Sequence, residues 1–94
     1  MALEKVTGRN NRHKVLVYSL STCVHCKAAK QFLRENDLEF EYIDVDLCSK
    51  KDQQKILSDI QKRGGIPSFP KIIIDYTIMI TGLDKNKIHE ALEN

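Results

Sequence analysis

Val15-Leu16-Val17-Tyr18-Ser19-Leu20-Ser21-Thr22-Cys23-Val24-His25-Cys26 joins an apolar, β-branched run to two thiols three positions apart. Apolar side chains at consecutive positions predict a strand buried on both faces, here residues 14–19. Thr22 is placed to cap the helix that follows. On that helix Cys26, Ala29, Phe32 and Leu33 fall on one face, and Lys27, Lys30, Gln31 and Arg34 are expected in water. At the first turn of a helix the unpaired backbone N–H groups and the dipole favour an anion, so Cys23 is expected to be a thiolate near neutral pH. Cys26, one turn later, lies within reach to close a disulfide. Such a pair can exchange electrons with other disulfides.

Dithiol exchange needs an exposed, ionised nucleophile and a second thiol that stays protonated and shielded until a mixed disulfide forms. Cys23 suits the first role and Cys26 the second. With the helix terminus and Lys27 lowering the Cys23 pKa to about 6, thiolate would outnumber thiol about tenfold at pH 7. The same two cysteines could be half of a zinc site. A tetrahedral site needs four ligands, however, and no second Cys or His pair follows, so no metal is expected. Cys48 stands alone and reads as a structural thiol. His25 either tunes the pair or simply occupies an exposed position. His13 and His89 read as surface residues.

Outward from this stretch, residues 39–45 alternate charged and apolar side chains and predict a strand with one exposed side. Ser49 with Asp52 resembles a capping box opening a second helix that carries Ile56, Leu57 and Ile60 inward. Gly64-Gly65 ends it. Residues 71–75 and 78–81 are apolar runs separated by Tyr76-Thr77, the spacing of a hairpin. Asp84 then caps a last helix with Ile88, Ala91 and Leu92 on its apolar face. Pro70 is expected at a strand's first residue, where the missing N–H does no harm, and spacing alone gives its peptide bond as trans. The predicted order is β-α-β-α-β-β-α, with the first two strands parallel through a right-handed crossover and helices on both faces of a four-stranded mixed sheet. In such sheets ligand chemistry gathers at the carboxyl ends of parallel strands, where Cys23 sits.

A chain of 94 residues makes one domain, and 30% charged with 41% hydrophobic residues is ordinary for a globular protein. No apolar run reaches the ~18 residues that span a membrane, and no signal-peptide pattern follows the basic start. A cytoplasmic address without membrane contact is expected. The net charge of +2 is concentrated at the start, where Lys5, Arg9, Arg12 and Lys14 face only Glu4. This predicts a flexible basic tail over residues 1–13 ahead of a domain over residues 14–94. Few aromatic residues accompany the tail, so no nucleic-acid partner is expected. Three cysteines, an odd count, argue against a structural disulfide framework.

Over residues 14–92 the chain resembles the glutaredoxin branch of the thioredoxin superfamily. The resemblance rests on Val17-Tyr18-Ser19-Leu20-Ser21-Thr22-Cys23-Val24-His25-Cys26, the strand Tyr42-Ile43-Asp44-Val45-Asp46, Ser68-Phe69-Pro70 in place of that family's Thr-Val-Pro, and Gly82-Leu83-Asp84 in place of its Gly-x-Asp. It implies a thioredoxin-like, glutaredoxin-type fold and a monomeric disulfide reductase with no bound cofactor. It also implies a cis bond before Pro70, with Pro70 packed against the dithiol and the Phe69 backbone pairing with an extended substrate. Val24, His25, Phe69, Pro70, Leu83 and Asp84 are then the substrate- or thiol-binding residues, and disulfide-containing proteins or low-molecular-weight disulfides the partners.

Val24 and His25 replace the family's usual Pro-Tyr between the cysteines, and Leu20 stands where a lysine commonly contacts the glutathione carboxylate. A valine after the first cysteine looks more like the NrdH-redoxins, which thioredoxin reductase reduces and which pass electrons to ribonucleotide reductase. Their Trp-Ser-Gly-Phe segment is replaced here by Ile80-Thr81-Gly82-Leu83. The reductant therefore stays open between glutathione, another thiol and thioredoxin reductase. A non-proline residue after Cys23 also leaves open an iron–sulfur cluster or metal carrier that uses Cys23. A non-enzymatic interaction domain is a third reading, which the intact dithiol opposes.

Overall fold

β-Branched runs become the middle of the sheet. In a computed structural model that describes residues 3–93, the elements are β1 (Glu4–Val6), β2 (Val15–Ser19), α1 (Val24–Glu35), β3 (Phe40–Asp44), α2 (Lys50–Lys62), β4 (Lys71–Ile74), β5 (Ile78–Thr81) and α3 (Lys85–Leu92). The strands lie side by side in the order β1-β3-β2-β4-β5. β2 and β3 run parallel, as a crossover through α1 requires, and every other neighbouring pair is antiparallel.

The pleat sends alternate side chains to opposite faces. Val15, Val17, Ile72, Ile74 and Ile80 meet Ala29 and Leu33 of α1 and Ile88 and Ala91 of α3 on one face. Tyr18, Ile43 and Ile73 meet Ile56 and Ile60 of α2 on the other. Ser49 caps α2 through its hydroxyl, which accepts from Asp52 N–H, and Gly64 leaves the helix with φ +84, the left-handed conformation glycine takes without strain. Leu57, expected inward, is exposed. The inward stripe of α2 is narrow, and Ile56 and Ile60 fill it. The strand expected over residues 39–45 stops at Asp44, because Val45–Leu47 coil into one 3-10 turn.

Among the described residues the sheet has five strands rather than the four expected. The fifth comes from the segment read as a basic tail, in which Glu4, Lys5 and Val6 pair with Tyr42, Glu41 and Phe40 on the free edge of β3. Charged side chains hid this strand because an edge strand keeps one side in water, where charges are at home. Val6 packs against the core. Residues that follow are also docked: Asn10 N–H donates to Asp37 C=O and Glu39 N–H to Asn10 C=O, each at 2.9 Å. Met1 and Ala2, at the start of that predicted tail, lie outside the described residues.

His13, expected at the surface, has a side chain only 9% exposed; its ring nitrogens face the Asp75 carboxylate at 2.7 Å and the Leu92 carbonyl at 3.0 Å. This contact holds the Asp75 carboxyl below the usual carboxylate range. His89 is exposed, as read.

Gly8 makes the docking of this segment possible. A Cβ there would stand 2.6 Å from Asp37 O and Leu38 C and 2.7 Å from Glu39 N, all backbone atoms that cannot rotate away. Gly8→Ala is therefore expected to destabilise the protein by about 1–3 kcal/mol. Urea denaturation, together with faster amide exchange along β1 than along β2, checks it; an unchanged midpoint would show that the segment contributes nothing to stability.

Candidate active site

The helix that carries the thiols starts one residue later than expected. Cys23, not Thr22, is the N-cap, with extended backbone, and its sulfur accepts the Cys26 N–H at 3.3 Å. Leading into it, Leu20 C=O accepts the Cys23 N–H at 3.2 Å, closing a turn. Ser21 anchors that turn from outside, donating its N–H and hydroxyl to the two Asp46 oxygens at 2.8 and 2.5 Å. These bonds keep the Asp46 carboxyl below the usual range. All three cysteines are free thiols.

Burial separates the two thiols of the motif. Cys26 is fully buried, Cys23 is half-buried, and Val24 between them is 75% exposed beside an exposed His25. Burial pushes the Cys26 thiol up to about 12, helped by its hydrogen bond to Cys23; the Leu20 N–H, 3.4 Å from its sulfur, acts in the opposite direction. Cys23 moves the other way. Its pKa is lowered first by the Cys26 side chain, which donates to its sulfur, then by the backbone N–H groups of Cys26 and His25 and the charge of Lys30.

Lys30 was expected in water and is buried instead, and Lys27, which was expected to tune Cys23, is exposed and has no part in the shift. One helical turn below Cys26, the Lys30 ammonium sits 3.0 Å from Asp44 and 4.0 Å from the centre of the Tyr42 ring. Ser19 donates to the same Asp44 oxygen at 2.7 Å. Charge type alone had put Lys30 outside. Its spacing of four from Cys26 was the signal that placed it inside.

The sheet register gathers the remaining expected residues at one end of the molecule. Tyr18 is opposite Lys71, and Lys71 is opposite Thr81, so the loops after β2, before β4 and after β5 emerge together. The Phe69–Pro70 bond is cis, as the resemblance implies and unlike the trans bond that spacing alone gave. Pro70 is fully buried, and its carbonyl accepts the Gly82 N–H at 2.9 Å, which joins two of the three loops. Gly82 turns with φ +76, so the chain enters Leu83 and Asp84 directly.

Asp84 caps α3 by accepting the Lys87 N–H at 3.1 Å, and with Thr81, Leu83, Lys85 and Asn86 it lines a groove of about 430 Å³. Phe69 packs against the α2-side core and Leu83 against the other face. Cys48 is half-buried, its sulfur 3.6 Å from Asp44 C=O. Among the described residues no three His, Cys, Asp or Glu side chains converge as a metal site. Ser21, Asp46, Lys30 and Lys71 were missed by the sequence reading. For Asp46 and Lys71 only long-range pairing reveals them.

The family model for glutaredoxin matches residues 15–78 of this chain. Glutaredoxin 1 of Rickettsia conorii is 35% identical over 89 residues, a match covering 87% of this chain and 83% of that protein. The glutaredoxin structure from Methanosarcina mazei superimposes with a TM-score of 0.88 at 33% identity, covering 98% of this chain and 88% of that one. Methanoredoxin of Methanosarcina acetivorans follows at 0.79 and 31%, covering 93% and 90%. With a shared fold, a family match across most of its length and these relatives, the chain belongs to the glutaredoxin family of thiol–disulfide oxidoreductases.

Proposed function

We propose that the chain is a dithiol disulfide reductase in which Cys23 is the nucleophile and Cys26 the resolving thiol. The observation that carries this reading is the opposite displacement of the two thiols, Cys23 lowered and buried Cys26 raised to about 12. The Cys23 thiolate attacks one sulfur of a substrate disulfide, the S–S bond breaks, and the departing thiolate takes up a proton. Cys26 then loses its proton and attacks the Cys23 sulfur, releasing the second substrate thiolate and leaving a Cys23–Cys26 disulfide. Two electrons have passed to the substrate.

Substrate is received between Val24 and His25, the Phe69-Pro70 loop and the Leu83-Asp84 loop. The His25 side chain is exposed, so it serves as contact surface, and the residue acts on Cys23 only through its backbone N–H. Partners are disulfide-containing proteins or low-molecular-weight disulfides, and an external thiol or thioredoxin reductase restores the dithiol with no bound cofactor. The protein acts as a monomer in the cytoplasm. No helix among the described residues is long and apolar enough to cross a membrane. No observation favours the cluster-carrier reading over this one.

A reductant panel tests the proposal. The oxidised protein, offered glutathione, other small thiols, or thioredoxin reductase with its nicotinamide cofactor, is expected to regain both thiols with at least one donor, read by thiol titration. It should then reduce a peptide disulfide with loss of the same two thiols. Recovery with thioredoxin reductase but not glutathione would fit Leu20 in place of the family's carboxylate-binding lysine. No recovery with any donor, or a reduced protein inert toward disulfides, would overturn the reading.

A further inference from the structure

A fully buried lysine opens β4. Lys71 is 0% exposed, and no carboxylate is among its partners within the described residues. Its ammonium donates to Ser68 Oγ at 3.0 Å and to Thr81 Oγ1 at 2.9 Å. Taking an ammonium out of water without an opposite charge is costly, and burial alone lowers its pKa. An apolar side chain would fill the same place at less cost. What the lysine adds is a bridge: Ser68 precedes Phe69 and Pro70, and Thr81 precedes Gly82, Leu83 and Asp84.

We propose that Lys71 is a positioning residue that clamps the Phe69-Pro70 loop to the Leu83-Asp84 loop, fixing the spacing of the two loops for an extended peptide disulfide. Its two hydrogen bonds run beside the backbone bond from Gly82 N–H to Pro70 C=O, so one loop is pinned to the other at two levels. A single backbone bond would allow the loops to pivot; the second tie on the side chains removes that freedom. An extended chain laid across both loops gains from their fixed spacing. A disulfide small enough to meet Cys23 alone does not. The proposal rests on the reading that these loops receive substrate.

The test compares Lys71→Met, Ser68→Ala and the double variant in single-turnover reduction by the pre-reduced protein. With a peptide disulfide as probe, the concentration for half-maximal rate is expected to rise about fivefold in each single variant, because losing one end of the bridge is enough to open it, with little change in limiting rate. In the double variant it should rise no further than in Lys71→Met, because both changes cut the same bridge.

Bis(2-hydroxyethyl) disulfide should react within about twofold of the parent rate in all three. Lys71→Met should melt no lower than the parent, since it replaces a buried charge by an apolar chain of similar length. An unmoved half-saturation for the peptide, equal slowing of both disulfides, or additive effects in the double variant would overturn the clamp. Should Lys71→Met fail to fold, Ser68→Ala carries the same comparison from a half-buried position. Iodoacetamide alkylation of parent Cys23 keeps the two readings apart: an unreactive parent Cys23 overturns the dithiol role, whereas a reactive parent Cys23 together with a peptide half-saturation unmoved in Lys71→Met overturns the clamp alone.

Discussion

Cys23→Ser is expected to lower the rate of disulfide reduction by at least about 10³-fold, some 4 kcal/mol in barrier height, while leaving the fold intact. The loss follows from ionisation. The features around Cys23 that favour an anion act on a thiol already close to neutral in pKa, and they cannot bring a serine hydroxyl into that range. The fold survives for a separate reason. Cys23 is the N-cap of α1 through its sulfur, and serine is among the best residues at that position, so its oxygen can accept the same Cys26 N–H. Thermal melting monitored by circular dichroism should therefore be near that of the parent, and a rate assay with a peptide disulfide should read near background. Retention of more than about a tenth of the parent rate would mean that Cys26 or Cys48 can attack on its own, and the assignment of the nucleophile would be wrong.

Much of this arrangement was legible because local rules dominate it. The run from Val15 to Ser19 has to be buried on both faces, the Ser49 and Asp84 side chains have few alternatives to capping, and two cysteines three apart at a helix start face one another whatever surrounds them. The misreadings share a cause. Lys30 and the segment Glu4–Val6 were judged by charge type, and each is held by something distant: Asp44 on β3 and the open edge of β3. A charged residue in sequence reads as solvent until its partner is known. His13 is the same case with partners in the β4–β5 turn and at the end of α3. Leu57 fails in the opposite sense, an apolar residue whose helix has no room for it on the inward stripe.

The thiolate also has a bearing on redox poise. Every donor that lowers the Cys23 pKa stabilises the reduced dithiol and is forfeited, in part, when the disulfide closes. The Cys26 S–H is lost outright in that step, since its sulfur becomes the partner of Cys23. Stronger stabilisation of the thiolate therefore makes the pair a weaker reductant, with about 30 mV for each 1.4 kcal/mol. Lys30 contributes to both thiols in the same direction, lowering each, and its pairing with Asp44 moderates how much. The buried network under α1 thus bears on potential as well as on nucleophilicity.

Replacing Cys26 separates the two things its thiol does. Both Cys26→Ser and Cys26→Ala are expected to accumulate a mixed disulfide between Cys23 and substrate, with a lifetime extended by about 10³-fold or more, because an intramolecular attack of high effective concentration has been removed. The variants should differ in how the adduct forms. The Cys26 side chain is the largest contributor to the lowered Cys23 pKa, acting as a hydrogen-bond donor to its sulfur. Serine keeps a donor there, so the Cys23 pKa should stay lowered. Alanine keeps none, and the Cys23 pKa should rise toward the ordinary thiol value. The sign fixes the pH window: below the ordinary thiol range the alanine variant should alkylate more slowly than the serine variant, and well above it the two rates should converge. Iodoacetamide kinetics from about pH 5 to 10 measure this, and intact-mass spectrometry measures the adduct. Equal midpoints would show that the amide end of α1, and not the neighbouring thiol, holds the negative charge. Absence of an adduct in both variants would remove Cys26 from the resolving role.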